Sequence, residues 1–251
     1  LATDALLAVL KSERGLEGLD QHNTVELISH LQDSNTSDKE ALFLIEWNFL
    51  PWLNRFSRGT PVPLEKQLAT DPAFFAEVTR LVFRSSSSSN DDDEKDERRV
   101  QLATNAFKLL REWSRCPGVQ DDGSFSEASF IAWINEVIRL TTESGHLDVA
   151  LSQIGHVLTC APSDPSGLWI HEAVATVLNR RDTGEMRSGF TAQLFNDRGV
   201  FAFSRGEEEL KLANKNRQKA EALFSKGYTR FASEMREFAE RYERDAERES
   251  K

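Results

Sequence analysis

A chain of 251 residues with a formal net charge of -10 has room for one large domain or two small ones, and its acidity argues against a general affinity for nucleic acid or anionic membranes. Apolar residues are only 39% and charged residues 29%, a balance that suits an extended helical array with much surface per residue rather than a sphere. No apolar run reaches the ~18 residues a membrane span needs and no signal peptide opens the sequence, so the expected compartment is the cytoplasm. The chain opens on Leu1 rather than Met, which reads as a piece of a longer protein.

Taken in order, Leu6, Leu7, Val9 and Leu10 predict a short helix behind Thr3 as cap. Val25, Leu27, Ile28 and Leu31 predict a second helix over residues 24–32. Residues 40–84 are the densest apolar stretch. There Leu42, Ile45, Phe49, Trp52, Leu53 and Phe56 recur at helical spacing, with Ser37 and Glu40 at the separation of a capping box. Phe74, Phe75, Val78, Leu81 and Val82 do the same after Asp71 as N-cap and Pro72 at the first helical position. Gly59, Pro61 and Pro63 separate the two runs, so an αα-hairpin is expected, with Trp47, Trp52, Phe74 and Phe75 anchoring the core. Trp113 and Trp133 anchor two later helices.

Five serines followed by a run of acids predict a solvated or disordered loop at 85–97. A phosphorylated regulatory loop is the sharper alternative. Helical spacing resumes at Val100 and ends near Cys116, Pro117 and Gly118. Asp121, Asp122 and Gly123 make a turn that lacks the carboxylates of a calcium loop. Ser124 or Ser126 then caps a helix ended by Gly145. Further helices are expected over residues 147–160, 168–179 and 186–195, with 198–206 as the one candidate strand. A terminal hairpin at 207–250 turns at Gly227. No repeat period emerges, so the expected fold is all-α: one irregular array of antiparallel helical hairpins over 1–251, like a HEAT or TPR solenoid without a strict repeat.

Candidate chemistry is sparse. His171-Glu172 starts a zincin motif that Ala175 breaks. His156 and Cys160 share a helix face but supply only two of the four ligands zinc needs. Cys116 and Cys160 read as isolated thiols. Glu46, between Ile45 and Trp47, could be buried with a shifted pKa, or could face solvent. No catalytic residue, cofactor site or metal site is assigned. One segment mixes guanidinium groups with rings: Arg180, Arg181, Arg187, Arg198 and Arg205 around Phe195, Phe201 and Phe203. It is a candidate nucleic-acid contact, or else a polar rim over a core edge.

Several segments in order, DPAFFAEVTRLVFR, NAFKLLREWSRCPGVQDDGSF, QIGHVLTCAP, LWIHEAVATVL and FNDRGV before an acidic hairpin ending RYERDAERE, resemble the C-terminal helical region of large multidomain bacterial proteins. Some of those carry an upstream nucleotide-binding module, and a part in phage defence or stress signalling is suspected for such architectures. The resemblance transfers no catalytic residue. It implies a non-catalytic recognition or scaffold region whose partner is another protein or the rest of its own chain. A nucleic-acid sensor using 180–205, or an enzyme built from helix carboxylates and His, are the alternatives. The oligomeric state is left open.

Overall fold

The computed structural model describes residues 2–10, 18–34, 38–53, 59–83, 97–199 and 206–249. Twelve α-helices run through them, and among the described residues there is no strand, only an isolated antiparallel bridge between Val119 and Phe125. The fold is all-α. No helix among the described residues is long and apolar enough to cross a membrane.

The chain packs as two compact units, and the boundary runs through one helix. The first comprises Leu1–Gly118 with Ala132–His146, the second Val119–Ile131 with Leu147–Lys251.

In the first unit, α1 (Ala2–Leu10), α2 (Gln21–Asp33) and α3 (Lys39–Phe49) bury Leu6, Val25, Ile28, Ile45, Phe49 and Leu53 together, with Trp52 half-buried against them. Asp38, not Ser37, caps α3, its carboxylate accepting from the Glu40 and Ala41 amides. Ser37 and Phe56 lie outside the described residues. The helix stops at Phe49 because Pro51 has no N–H to give the Trp47 carbonyl one turn back. Asn105 Nδ2 supplies that donor at 2.9 Å.

The two aromatic runs do not form a simple hairpin. A further helix, α4 (Val62–Thr70), lies between them in sequence, ahead of α5 (Pro72–Val82). Pro61 and Pro63 do not prevent it: Pro63 sits in the first turn, where its missing N–H would have had no partner within the helix. α5 starts as expected, with Asp71 accepting from the Ala73 and Phe74 amides. α6 (Glu97–Glu112) starts at Glu97, inside the span expected to be loop, of which 85–96 lie outside the described residues. Phe75 packs against Trp113 and Trp133 with ring centroids 5.4 and 5.3 Å away, and Trp133 Nε1 donates to the Leu68 carbonyl at 3.1 Å. Phe75, Trp113 and Trp133 are buried, whereas Trp47, Trp52 and Phe74 are half-buried.

Ser126 accepts from the Ser129 amide at the start of α7 (Glu127–Glu143), whose residues to Ile131 belong to the second unit. In that unit α8 (Leu147–Leu158) and α10 (Gly184–Asn196) cross where each carries a glycine. A Cβ on Gly155 would strike the Met186 carbonyl, and one on Gly189 the Ser152 carbonyl, so the two backbones are in direct contact. α9 (Glu172–Leu178) is shorter than the periodicity of LWIHEAVATVLN predicts, because His171 is its N-cap and Leu168 to Ile170 precede it as irregular, bent chain. α11 (Glu207–Ser225) and α12 (Thr229–Glu249) form the terminal hairpin, reversing at Gly227, which adopts a φ of 87° that favours glycine. Phe231, Met235, Phe238 and Tyr242 make the buried stripe of α12, and Phe231 meets Phe190 and Trp169 at 5.3 and 6.0 Å. Of the candidate strand at 198–206, residues 200–205 lie outside the described residues, and Arg198 and Gly206 are in turns.

Candidate functional site

The most unusual chemistry in the first unit is a pair of buried carboxyl groups. Glu46 follows Ile45 on the core side of α3 and is 0% exposed. Gln32 Nε2 of α2 donates to its Oε1 at 2.6 Å and to the Thr60 carbonyl at 2.8 Å, and the Leu64 amide donates to its Oε2 at 3.2 Å. Leu64 is the third residue of α4, whose N-cap, Pro61, offers no side-chain acceptor. Glu46 therefore does from α3 what a capping Ser or Asp would do locally. Burial pushes its pKa up from 4.5 to about 8, against the lowering effect of those donors and with added repulsion from Glu65.

Glu65, the next residue of α4, is 4% exposed. Its Oε2 accepts from Ser114 Oγ at 2.9 Å and from the Arg115 amide at 3.1 Å, just after α6, while Oε1 has no hydrogen-bond partner. Burial again raises the pKa. Nearby in sequence, Glu112 Oε1 pairs with Arg111 at 3.1 Å, whereas its buried Oε2 and the Trp113 Nε1 have no hydrogen-bond partner. Adjacent residues of α4, the Leu64 amide and the Glu65 carboxyl, thus tie this helix to α3 and to the exit of α6. Chemically the arrangement can hold a proton near neutral pH, since an ionised carboxylate with a bare, buried oxygen is costly.

The sequence pointed to Glu46 but not to Glu65. The signal was there: Glu65 sits beside Leu64, with Leu68 and Ala69 one turn on, in the apolar stripe of α4. With the helix itself hidden behind Gly59, Pro61 and Pro63, the stripe was not legible. Asp4, beside the apolar stripe of α1, is exposed.

Histidines in both units serve local structure. His171 Nδ1 accepts from the Ala173 amide at 3.2 Å, and its Nε2 faces Asp164 at 3.9 Å beneath the Phe125 ring. With Nδ1 accepting, the neutral ring carries its proton on Nε2, on the side of Asp164. Asp164 accepts from the amides of Glu172 and Ser166, which hold its pKa down from 3.8 to about 2. His146 places Nε2 3.2 Å from the Phe83 carbonyl. Burial lowers the His156 pKa, and neither Cys116 nor Cys160 is in a disulfide. Among the described residues no group of three His, Cys, Asp or Glu is placed to hold a metal ion.

Of the arginine–phenylalanine segment, only part lies among the described residues. Arg187 turns inward: its Nη1 donates to the carbonyls of Leu178 and Arg180, each at 2.7 Å, closing the C-terminal end of α9. Arg198 stacks over Phe195 at 3.9 Å from the ring centroid. Arg181 is exposed and Arg180 half-buried. Phe201, Phe203 and Arg205 lie outside the described residues.

No protein-family model, no curated protein and no solved structure matches this chain. Its functional reading therefore stands on its own residues.

Proposed function

We propose that this chain is a non-catalytic recognition or scaffold region of a larger bacterial protein, in which a helical surface engages a protein partner or a neighbouring domain of the same chain. The observation that supports it is α6, which turns Val100 (57% exposed), Leu102 (41%) and Phe107 (52%) to solvent. Exposed apolar residues are ordinary when scattered; three large ones on one helix are less so. Val100 and Phe107 lie seven residues apart, on one face two turns along, which is the spacing by which a helix enters an apolar groove. Thr104 and Arg111 share that face and are also exposed. A part in phage defence or stress signalling belongs to the same proposal.

The test is capture from host lysate on the wild-type chain and on Phe107→Glu, each with and without nuclease. A protein held by the wild type after nuclease and lost from the variant supports the reading. Equal capture by both places any interaction elsewhere. Arg198 over the partly exposed Phe195 favours a second reading, nucleic-acid contact, and recovery of nucleic acid that vanishes with nuclease would bring it forward.

A further inference from the structure

The geometry points to a proton-operated latch in the first unit: α4 is held against α3 and the end of α6 while Glu46 and Glu65 carry protons, and is released when they ionise. This goes beyond the recognition reading and does not depend on it.

Three features carry it. Both carboxyls are almost completely buried, so ionising either one places charge where water is excluded. Neither makes a salt bridge among the described residues, and Glu65 Oε1 has no hydrogen-bond partner, so a full negative charge there would be compensated only in part, by the donors on the other carboxyl oxygens and by Arg115. Both also sit at the joints of a short helix. Glu46 caps the first turn of α4, and Glu65 holds the chain at Ser114 and Arg115. Opening these joints is what would admit water to the charges.

The charged groups that act on the pair are few. Glu65 repels Glu46, and Arg115 offers partial compensation to Glu65. From α2 the facing group is neutral Gln32, while His30 and Asp33 are exposed; on α3, Lys39 and Glu40 are exposed. On α5, Glu77 and Arg80 pair with one another at the surface. On α6, Glu112 is engaged with Arg111.

The sign follows from the direction of the shifts. A carboxyl whose pKa is higher folded than unfolded keeps its proton in the fold while the open form loses it. Stability then falls as pH rises from the ordinary carboxylate pKa toward the folded value, and is level outside that window. For Glu46 the window runs from 4.5 to about 8.

Four of the five tryptophans, Trp47, Trp52, Trp113 and Trp133, lie in the first unit, so tryptophan fluorescence reports mainly on it. The experiment is urea unfolding of the full chain by fluorescence between about pH 6 and about pH 9, for wild type, E65Q and the double variant E46Q/E65Q. The expected result is an unfolding constant that rises with pH in the wild type, by up to about tenfold per pH unit for each carboxyl, with a shallower slope in E65Q and none in the double variant. A wild-type slope that is flat, or that survives in the double variant, overturns the latch. Should the double variant fail to fold, carboxyl-carbon NMR of the wild type decides. A glutamate titrating well above the usual range, and moving down in E65Q, supports the latch; every glutamate titrating in the usual range sinks it.

Discussion

The two units solve the problem of buried polar atoms in opposite ways. In the second, the buried hydroxyl of Thr183 donates to the Val177 carbonyl of α9 and that of Thr191 to a carbonyl of its own turn, Arg187 closes α9 and Asp164 holds the loop before it. Its tightest contact, the Gly155–Gly189 crossing, needs no polar side chain, since the backbones themselves meet. The second unit buries one carboxyl, Glu209, whereas the first buries Glu46, Glu65 and Glu112 and leaves Glu65 Oε1, Glu112 Oε2 and Trp113 Nε1 without hydrogen bonds. A satisfied interior is insensitive to its surroundings, whereas an unsatisfied one responds to anything that changes its charge. Conditional behaviour is therefore expected in the first unit and rigidity in the second.

The largest test of that contrast removes an aromatic anchor. Trp133→Ala should cost about 3–5 kcal/mol, because the ring packs between Phe75 and Trp113 and its Nε1 bonds Leu68. Chemical denaturation followed by fluorescence reads this; a loss below about 1 kcal/mol would show the trio to be peripheral.

Gly189→Ala attacks the second unit at its crossing and should cost about 1–3 kcal/mol, since the added methyl meets the Ser152 backbone rather than a side chain that can move. Unchanged melting by circular dichroism would mean that α8 and α10 stand further apart than described.

Arg187→Ala should cost about 1–2 kcal/mol by leaving the Leu178 and Arg180 carbonyls without their donor. Replacement by Lys, which cannot reach two carbonyls with the same planar fork, should restore only part of it. If the variant keeps its stability and loses only nucleic-acid affinity, Arg187 belongs to a binding surface after all.

The pH response should differ in sign as well as size. Asp164 is held at about 2, below its ordinary 3.8, so its contribution to the second unit is full above the ordinary value and fades as pH falls through about 2. Through Asp164, acidification over the range that protects the first unit through Glu46 thus gives the second nothing, and further acidification weakens it; Glu234, whose pKa burial raises, adds a response of the first unit's sign, and His156, whose pKa burial lowers, opposes it. Residue-resolved NMR across an acid titration, following Trp169 against Trp133, would expose a shared response if the contrast is wrong. The smallest effect is expected from Lys226→Ala. Its 2.9 Å bridge to Glu172 is solvent-exposed, and surface pairs of this kind add little. A melting temperature shifted beyond experimental error would assign that contact a larger part in seating α11.

Much of this architecture was written in local pattern. The Glu207–Ser225 helix, the Gly227 reversal and the Asp71–Pro72 start of α5 are read from periodicity, one glycine and one cap, all of which act over a few residues. Where a side-chain cap or a distant group settles the outcome, pattern misleads. LWIHEAVATVLN has helical spacing throughout, yet His171 turns its ring nitrogen onto the Ala173 amide and helix begins only at Glu172. Val62 to Thr70 looked broken by proline, yet the Glu46 carboxyl group from α3 caps it.

The same division holds for the candidate site. Sequence alone determined the helical class, the apolar stripes and the prospect that Glu46 is buried, because hydrophobic spacing and capping chemistry are short-range properties. Only the tertiary structure decided that Glu65 joins it, that Asn105 replaces the donor Pro51 lacks, and that Arg187 is spent on a helix end. Each depends on which side chain from a remote segment reaches an unpaired backbone group, and that choice is made by packing.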